Sequence, residues 1–164
     1  MLSHPAATLH VPVPGATLDP AEAAVPRRTF RHTIDIYLKD SNAYANTYFS
    51  RYFEWQGVCR ERWFHQCVSA DMLQSQGVFI TKRAHQEYLH ETFPFESVRC
   101  ELNTWEVRQC SFYLVFQFHV GTRLVANGYQ QIVFASHDKR IQRLPEEVLA
   151  RVREYELAVA PTLN

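Results

Sequence analysis

The sequence lacks an excess of either charge. Lys plus Arg and Asp plus Glu each number 17, for a formal net charge of zero. A nucleic-acid binder is expected to carry a basic surplus, so that class is set aside. No apolar run approaches the roughly 20 residues that a membrane-spanning helix needs. The N-terminus has no charged stretch followed by an apolar one, so a secretory leader is not expected and the chain reads as cytoplasmic. Cysteine is scarce. Cys59, Cys67, Cys100 and Cys110 contain no C-x-x-C pair and read as reduced, mostly buried thiols. The eight histidines lack the i, i+4 repeat of a helical metal site. His85 and His90 stand in strand-like sequence with no Cys or Asp nearby, so neither a metal nor another cofactor is expected.

What is present is apolar and aromatic. Hydrophobic residues make up 46% of the 164 and aromatics 13%, enough for one domain with a true core. Residues 1–28 are set apart by Ala and Pro. Pro5, Pro12, Pro14, Pro20 and Pro26 interrupt any regular element, so a flexible tail or a surface arm is expected there, with the folded domain over 29–164. In Thr29–Lys39, the residues Phe30, His32, Ile34, Ile36 and Leu38 alternate onto one face of a first strand. Asp40–Asn46 is a loop rich in residues that bond their own backbone.

From Thr47 to Phe64 the apolar period changes. Tyr48, Tyr52, Trp55, Cys59 and Trp63 advance by four, three, four and four, which predicts a helix with one aromatic stripe, widened by Phe49 and Phe53. So aromatic a helix requires a sheet around it. Gly57 within it suggests close approach of another backbone. A short helical segment is predicted over Ser69–Gln76, stopped by Gly77. Strands are predicted at Val78–Leu89, Glu96–Val107, Ser111–Val120 and Arg123–Ser136, with turns at Arg108-Gln109 and Gly121-Thr122. The alternating Phe112, Leu114, Phe116 and Phe118 read as plain core. Pro145–Leu157 closes the chain as an amphipathic helix. The order gives an α+β fold, one long central helix wrapped by a curled antiparallel sheet.

The segment D-S-N-A-Y-A-N-T-Y-F-S-R-Y-F-E-W, from Asp40 to Trp55, resembles the active-site loop and central helix of hotdog-fold thioesterases of the 4-hydroxybenzoyl-CoA type. In that pattern Asp-x-Asp precedes an aromatic pair and Tyr-x-x-Trp. Here Asp40, Tyr48-Phe49, Tyr52 and Trp55 keep their places, but Asn42 replaces the second Asp. Asn46-Thr47-Tyr48-Phe49 and Trp55-Gln56-Gly57-Val58-Cys59-Arg60-Glu61 are most similar to the thioesterases of enediyne polyketide biosynthesis, which also carry Asn there. Ala45 departs from the Gly expected in the turn. The Gly128-Tyr129-Gln130 segment, followed by Gln131, also looks like a G-x-Q segment of those enzymes.

The resemblance implies a thioesterase that releases a β-keto polyketide chain from an acyl carrier protein, with possible loss of carbon dioxide from the free acid. It also implies a homo-oligomer, dimer or tetramer, with sites at the subunit boundary. A carboxylate at position 42 would attack the thioester or deprotonate water; an amide does neither and only orients by hydrogen bonds. The N-terminus of the helix, through the Phe49 backbone N–H or a neighbour, is the candidate oxyanion donor, worth about 3 kcal/mol of barrier. The resemblance further implies that Tyr52 sets substrate position and that Arg60 binds the thioester carbonyl or the β-oxygen. Arg60 stands about 16 Å along the helix from Phe49, too far for both to touch one atom within a straight helix. That leaves it to serve a site shared with a partner subunit, to line the acyl tunnel, or to stand as an ordinary helix-surface arginine. Glu54 and Glu61, off the aromatic stripe, read as solvated surface. Two other readings stand beside this one. A general acyl-CoA thioesterase could use Lys82, Arg83 and Arg99 for the CoA phosphates. A non-catalytic domain could bind acyl chains or a carrier protein.

Overall fold

The computed structural model describes residues 28–71 and 76–161. The expected tail over 1–28 falls outside it except for Arg28, whose N–H and guanidinium bond the Glu154 carbonyl and carboxylate. Five strands form one antiparallel sheet: β1 (Phe30–Asp35), β2 (Val78–Tyr88), β3 (Ser97–Trp105), β4 (Ser111–Val120) and β5 (Arg123–Ala135). Their spatial order is β1-β3-β4-β5-β2. The sheet wraps the long helix α1 (Ser50–Trp63), which continues through a π-turn over Phe64–Val68. A shorter helix, α2 (Glu146–Arg153), follows the last strand. This is the expected arrangement of a central helix in a curled sheet.

Alternation decides which side of the sheet meets the helix. Val98, Cys100, Leu102 and Thr104 of β3, and Phe112, Leu114, Phe116 and Phe118 of β4, are buried in step. They close on Tyr52, Trp55, Cys59 and Trp63 of α1, with Val148 and Val152 of α2 at one end. Each such side chain contributes about 1.5–3 kcal/mol by leaving water.

The first strand is shorter than predicted and ends at Asp35. Leu38–Asp40 turns as a 3₁₀ segment because the Tyr37 N–H donates to Asp40 Oδ2 (2.9 Å) and the Asp40 N–H donates back to the Tyr37 carbonyl (2.9 Å). Leu38 therefore leaves the apolar face and is 68% exposed. The helix also starts later than its aromatic period suggested. The Thr47 and Tyr48 N–H groups donate to the Thr92 and Asp40 carbonyls, which ties these residues to the loops. Tyr48, Phe49 and, within the helix, Phe53 are exposed, and Gln56 takes a fully buried place on the stripe.

The glycine expectation is corrected too. A Cβ on Gly57 would meet nothing within 4 Å, whereas one on Gly128 would overlap the His85 carbonyl and lie 2.5 Å from Gln56 Nε2. The close approach belongs to the sheet, opposite the helix residue that precedes Gly57. Gly77 likewise sits against Ala135 and Phe134 at φ +154°. Of the short helix predicted over Ser69–Gln76, residues 72–75 fall outside the described residues, and Ser69–Asp71 and Gln76 on either side are not helical. The β4–β5 turn is the two-residue Gly121-Thr122, with Val120 opposite Arg123 and Gly121 at φ +60°. The β3–β4 connection is wider than Arg108-Gln109 and spans residues 106–110.

Candidate active site

The loop before α1 folds on its own hydrogen bonds. Asn42 Oδ1 accepts from the Tyr44 N–H (2.8 Å), the Asn42 N–H donates to the Asn46 carbonyl (3.0 Å), and the Ala45 N–H donates to the Asn42 carbonyl (3.0 Å). An isolated bridge, Ser41 to Thr47, closes the loop. Ala45 is held at φ +62°, the left-handed region that a glycine would occupy without steric cost. Asn42 thus caps a turn. It also lines a cavity of about 320 Å³ with Phe49, Tyr52, Tyr88, His90 and Glu91.

Helix α1 opens onto this cavity uncapped. Its N-cap residue, Phe49, makes no side-chain cap bond, and its first turn has no acidic residue. The first N–H groups of a helix lack intrahelical acceptors and carry the positive end of its dipole. Such donors suit a developing oxyanion. Tyr52 forms the inner wall, edge-on to Trp55, Tyr88 and Phe118. The Thr92 hydroxyl donates to Thr47 Oγ1 (2.8 Å), which leaves Thr92 to accept from the Tyr52 hydroxyl (2.9 Å). Burial raises the Tyr52 pKa, so this hydroxyl remains protonated and fixed.

Asp40, the acid that precedes Asn42, turns away from chemistry. Its carboxylate accepts from the Tyr37 N–H and lies 3.5 Å from Arg51 Nε. Glu91 is the carboxylate of the cavity, and it accepts from Asn46 Nδ2 at 2.7 Å. Glu91 did not stand out in the sequence, and His90 drew notice only as a metal ligand lacking partners, because the segment after β2 carries both in and no local spacing ties them to Asn42. Glu54 and Glu61 are exposed, and Glu54 pairs with Arg51 (2.7 Å).

Arg60 belongs elsewhere. It lines a second cavity of about 770 Å³ whose wall includes Trp63, Phe64, Phe79, Phe112, Leu114 and Ile132. Asn42, Phe49 and Tyr52 are therefore brought together, and Arg60 is not brought to them within one chain, as its helical distance required. Nor is Arg60 a surface arginine. Its Nη1 donates to Thr81 Oγ1 (2.6 Å) and Gln130 Oε1 (2.9 Å). Among the described residues no carboxylate lies within 4 Å of it. Burial lowers its pKa, against a weaker opposing pull from Glu61.

Residues 36–152 match the model of the thioesterase-like superfamily. No curated protein matches the chain. Among solved structures, the chain is similar to the dynemicin thioesterase, whose crystal structures reveal induced-fit and allosteric effects upon polyene binding. The identity is 20% and the TM-score 0.72, over 80% of this chain and 100% of that one. A gentisyl-coenzyme A thioesterase aligns at 15% identity and TM-score 0.69, over 75% and 99%. A 1,4-dihydroxy-2-naphthoyl-CoA thioesterase from Synechocystis aligns at 14% and 0.68, over 77% and 96%.

Proposed function

Because the chain belongs to the thioesterase-like superfamily, we propose that it hydrolyses a β-keto polyketide thioester carried on an acyl carrier protein, with no acidic nucleophile. The observation that carries this reading is Arg60. A partly buried guanidinium whose hydrogen-bond partners are both neutral, in a large cavity that aromatic and aliphatic side chains line beside Glu61 and Arg62, calls for an anionic or strongly polarised oxygen on a largely apolar ligand. The β-oxygen of a polyketide chain supplies one, where a plain fatty acyl group carries none; because that oxygen lies two carbons from the thioester carbonyl, the site joins the α1 N-terminus of one subunit to the Arg60 of another across the subunit boundary. The cavity volume lies within the range of small-molecule sites.

Water attacks the thioester carbonyl carbon at the α1 N-terminus. The oxyanion is received by the Phe49 backbone N–H, and Asn42 orients the reactants through its amide. Glu91 takes the proton from water and returns it to the departing thiolate as the carbon–sulfur bond breaks. The products are the free β-keto acid and the carrier thiol, and the acid can then lose carbon dioxide. The enzyme works as a homo-oligomer, a dimer or tetramer, in the cytoplasm. The outer edge of β2 supports assembly, since that strand pairs only with β5 among the described residues and exposed edges tend to be covered.

The test compares one acyl group on a carrier protein and on CoA, with and without a β-keto group. The β-keto carrier thioester is expected to turn over fastest, and Arg60→Ala to slow it selectively. Equal or faster hydrolysis of simple acyl-CoAs, indifferent to Arg60→Ala, would replace this reading with a general acyl-CoA thioesterase. That alternative draws support from the two CoA thioesterases among the similar structures. No hydrolysis of any thioester would leave a binding domain.

A further inference from the structure

Trp55–Glu61 of α1 and Gly128–Gln130 of β5, two segments far apart in sequence, meet in one line of hydrogen bonds. The line starts at backbone carbonyls, whose polarity is fixed. Gln86 Nε2 donates to the Asn127 carbonyl (2.9 Å) and, less closely, to the Glu87 carbonyl (3.2 Å). Its Oε1 must then face Gln56, whose Nε2 donates to it (2.7 Å) and to the His85 carbonyl (2.9 Å). That leaves Gln56 Oε1 to accept from Gln130 Nε2 (3.1 Å), and Gln130 Oε1 to accept from Arg60 Nη1 (2.9 Å). An amide can flip in isolation; a chain of amides anchored on carbonyls cannot flip without leaving buried donors facing donors. Gln56 and Gln130 are 0% and 6% exposed, so each mismatched pair would go without solvent compensation.

We infer that Gln130 is a positioning residue that holds a neutral carbonyl oxygen against Arg60, so that the guanidinium is aimed at the substrate without being neutralised. The inference rests on the assignment of Arg60 to the substrate's β-oxygen and deepens it. A carboxylate in the same place would hold Arg60 as firmly but would compete with the substrate for its charge. Thr81, the second partner, is neutral as well and precedes the β-bulge between Thr81 and Arg83; such bulges re-aim side chains beside functional sites. Gly128 gives Gln56 its room, since a Cβ there would sit 2.5 Å from Gln56 Nε2. The G-x-Q segment thus has a physical meaning. The glycine admits the helix glutamine, and the glutamine two residues on faces the arginine.

The experiment is a double-mutant cycle on the full chain, read on the β-keto thioester. Gln130→Glu is nearly isosteric. It is expected to cut kcat at least about tenfold with a smaller change in KM, to keep the native circular dichroism, and to regain rate as pH falls and the introduced carboxyl takes up a proton. Gln130→Met, which removes both polar atoms, should also slow kcat but without that pH dependence. In an Arg60→Ala background neither substitution should slow the reaction further. If Gln130→Glu does not fold, the Gln130→Met arm of the cycle decides. Arg60→Ala with unchanged turnover sinks the underlying reading of the site. Arg60→Ala with lost turnover, beside a folded Gln130 variant at full rate or one whose effect persists without Arg60, sinks the positioning role alone.

Discussion

Gly128 sits where backbone and side chain crowd together and Ala45 where the backbone is left-handed, so their substitution separates steric from conformational cost. Gly128→Ala places a methyl on the His85 carbonyl and on Gln56 Nε2. Overpacking of this kind costs about 1–3 kcal/mol, so a lower urea midpoint and a loss of turnover are expected together. Ala45→Gly does the reverse, because Ala45 is held at φ +62°. Relief of about 1–2 kcal/mol of left-handed strain is partly offset by the greater freedom of the unfolded chain. Stability should therefore hold or rise by up to about 1 kcal/mol in urea titrations, with hydrolysis unchanged. Glu91→Gln is expected to slow hydrolysis about a hundredfold, while Glu54→Gln and Glu61→Gln leave it within a factor of two or so of the parent. Equal rates in all three would mean that water attacks unaided. At this scale the sequence was legible where the chemistry is local. Asn42, Phe49 and Tyr52 lie along one loop and helix start and share a cavity. Glu91 and His90 were not legible, because they reach that cavity through the path of β2. Nor was Gln56, since a polar residue on an apolar stripe declares itself only once its partners are known.

At the scale of the element, α1 shows both the strength and the limit of periodicity. Tyr52, Trp55, Cys59 and Trp63 are buried at the predicted spacing. The first turn failed because tertiary hydrogen bonds to Asp40 and Thr92 claimed the Tyr48 and Thr47 N–H groups. Aromatic character alone could not show that Phe49 and Phe53 face outward, 56% and 39% exposed. Trp63→Ala is accordingly expected to cost about 3–5 kcal/mol and Phe53→Ser less than about 0.5 kcal/mol in the isolated chain, both read from urea midpoints. Apart from β1, which stops at Asp35 instead of Lys39, the strands were read to within a residue or two, since alternation and the Gly121-Thr122 turn are local signals. The misplaced role for Gly57 came from asking which helix residue is small, when the contact needed a small residue across from it.

For the whole molecule, acid is the condition to which the fold should be most sensitive. Burial lowers the pKa of His32, helped by Arg62, and that of His119, where Arg99 and Glu101 pull in opposite senses. Burial would raise the Glu101 pKa, but its hydrogen bond to Arg31 and the charges of Arg31, His119 and Arg99 outweigh that and lower it. Groups depressed in the folded state take up protons more readily once unfolded. The histidine contribution is whole above the unfolded value of about 6.5 and is lost as pH falls through the lower folded values; that of Glu101 follows at more acid pH. Denaturation midpoints should therefore drop between pH 8 and pH 5, and less steeply in a His32→Gln, His119→Gln variant. A flat profile would count against this cause. The outermost strand ties this scale back to the first. The same stretch of β2 that ends the sheet also supplies Thr81 and the His85 carbonyl, both anchors of the arginine's support. Any quaternary contact along that margin would therefore share one ribbon of backbone with the aim of a single cation. A neighbour stitched to its outer side would tune turnover from a distance, through stiffness alone.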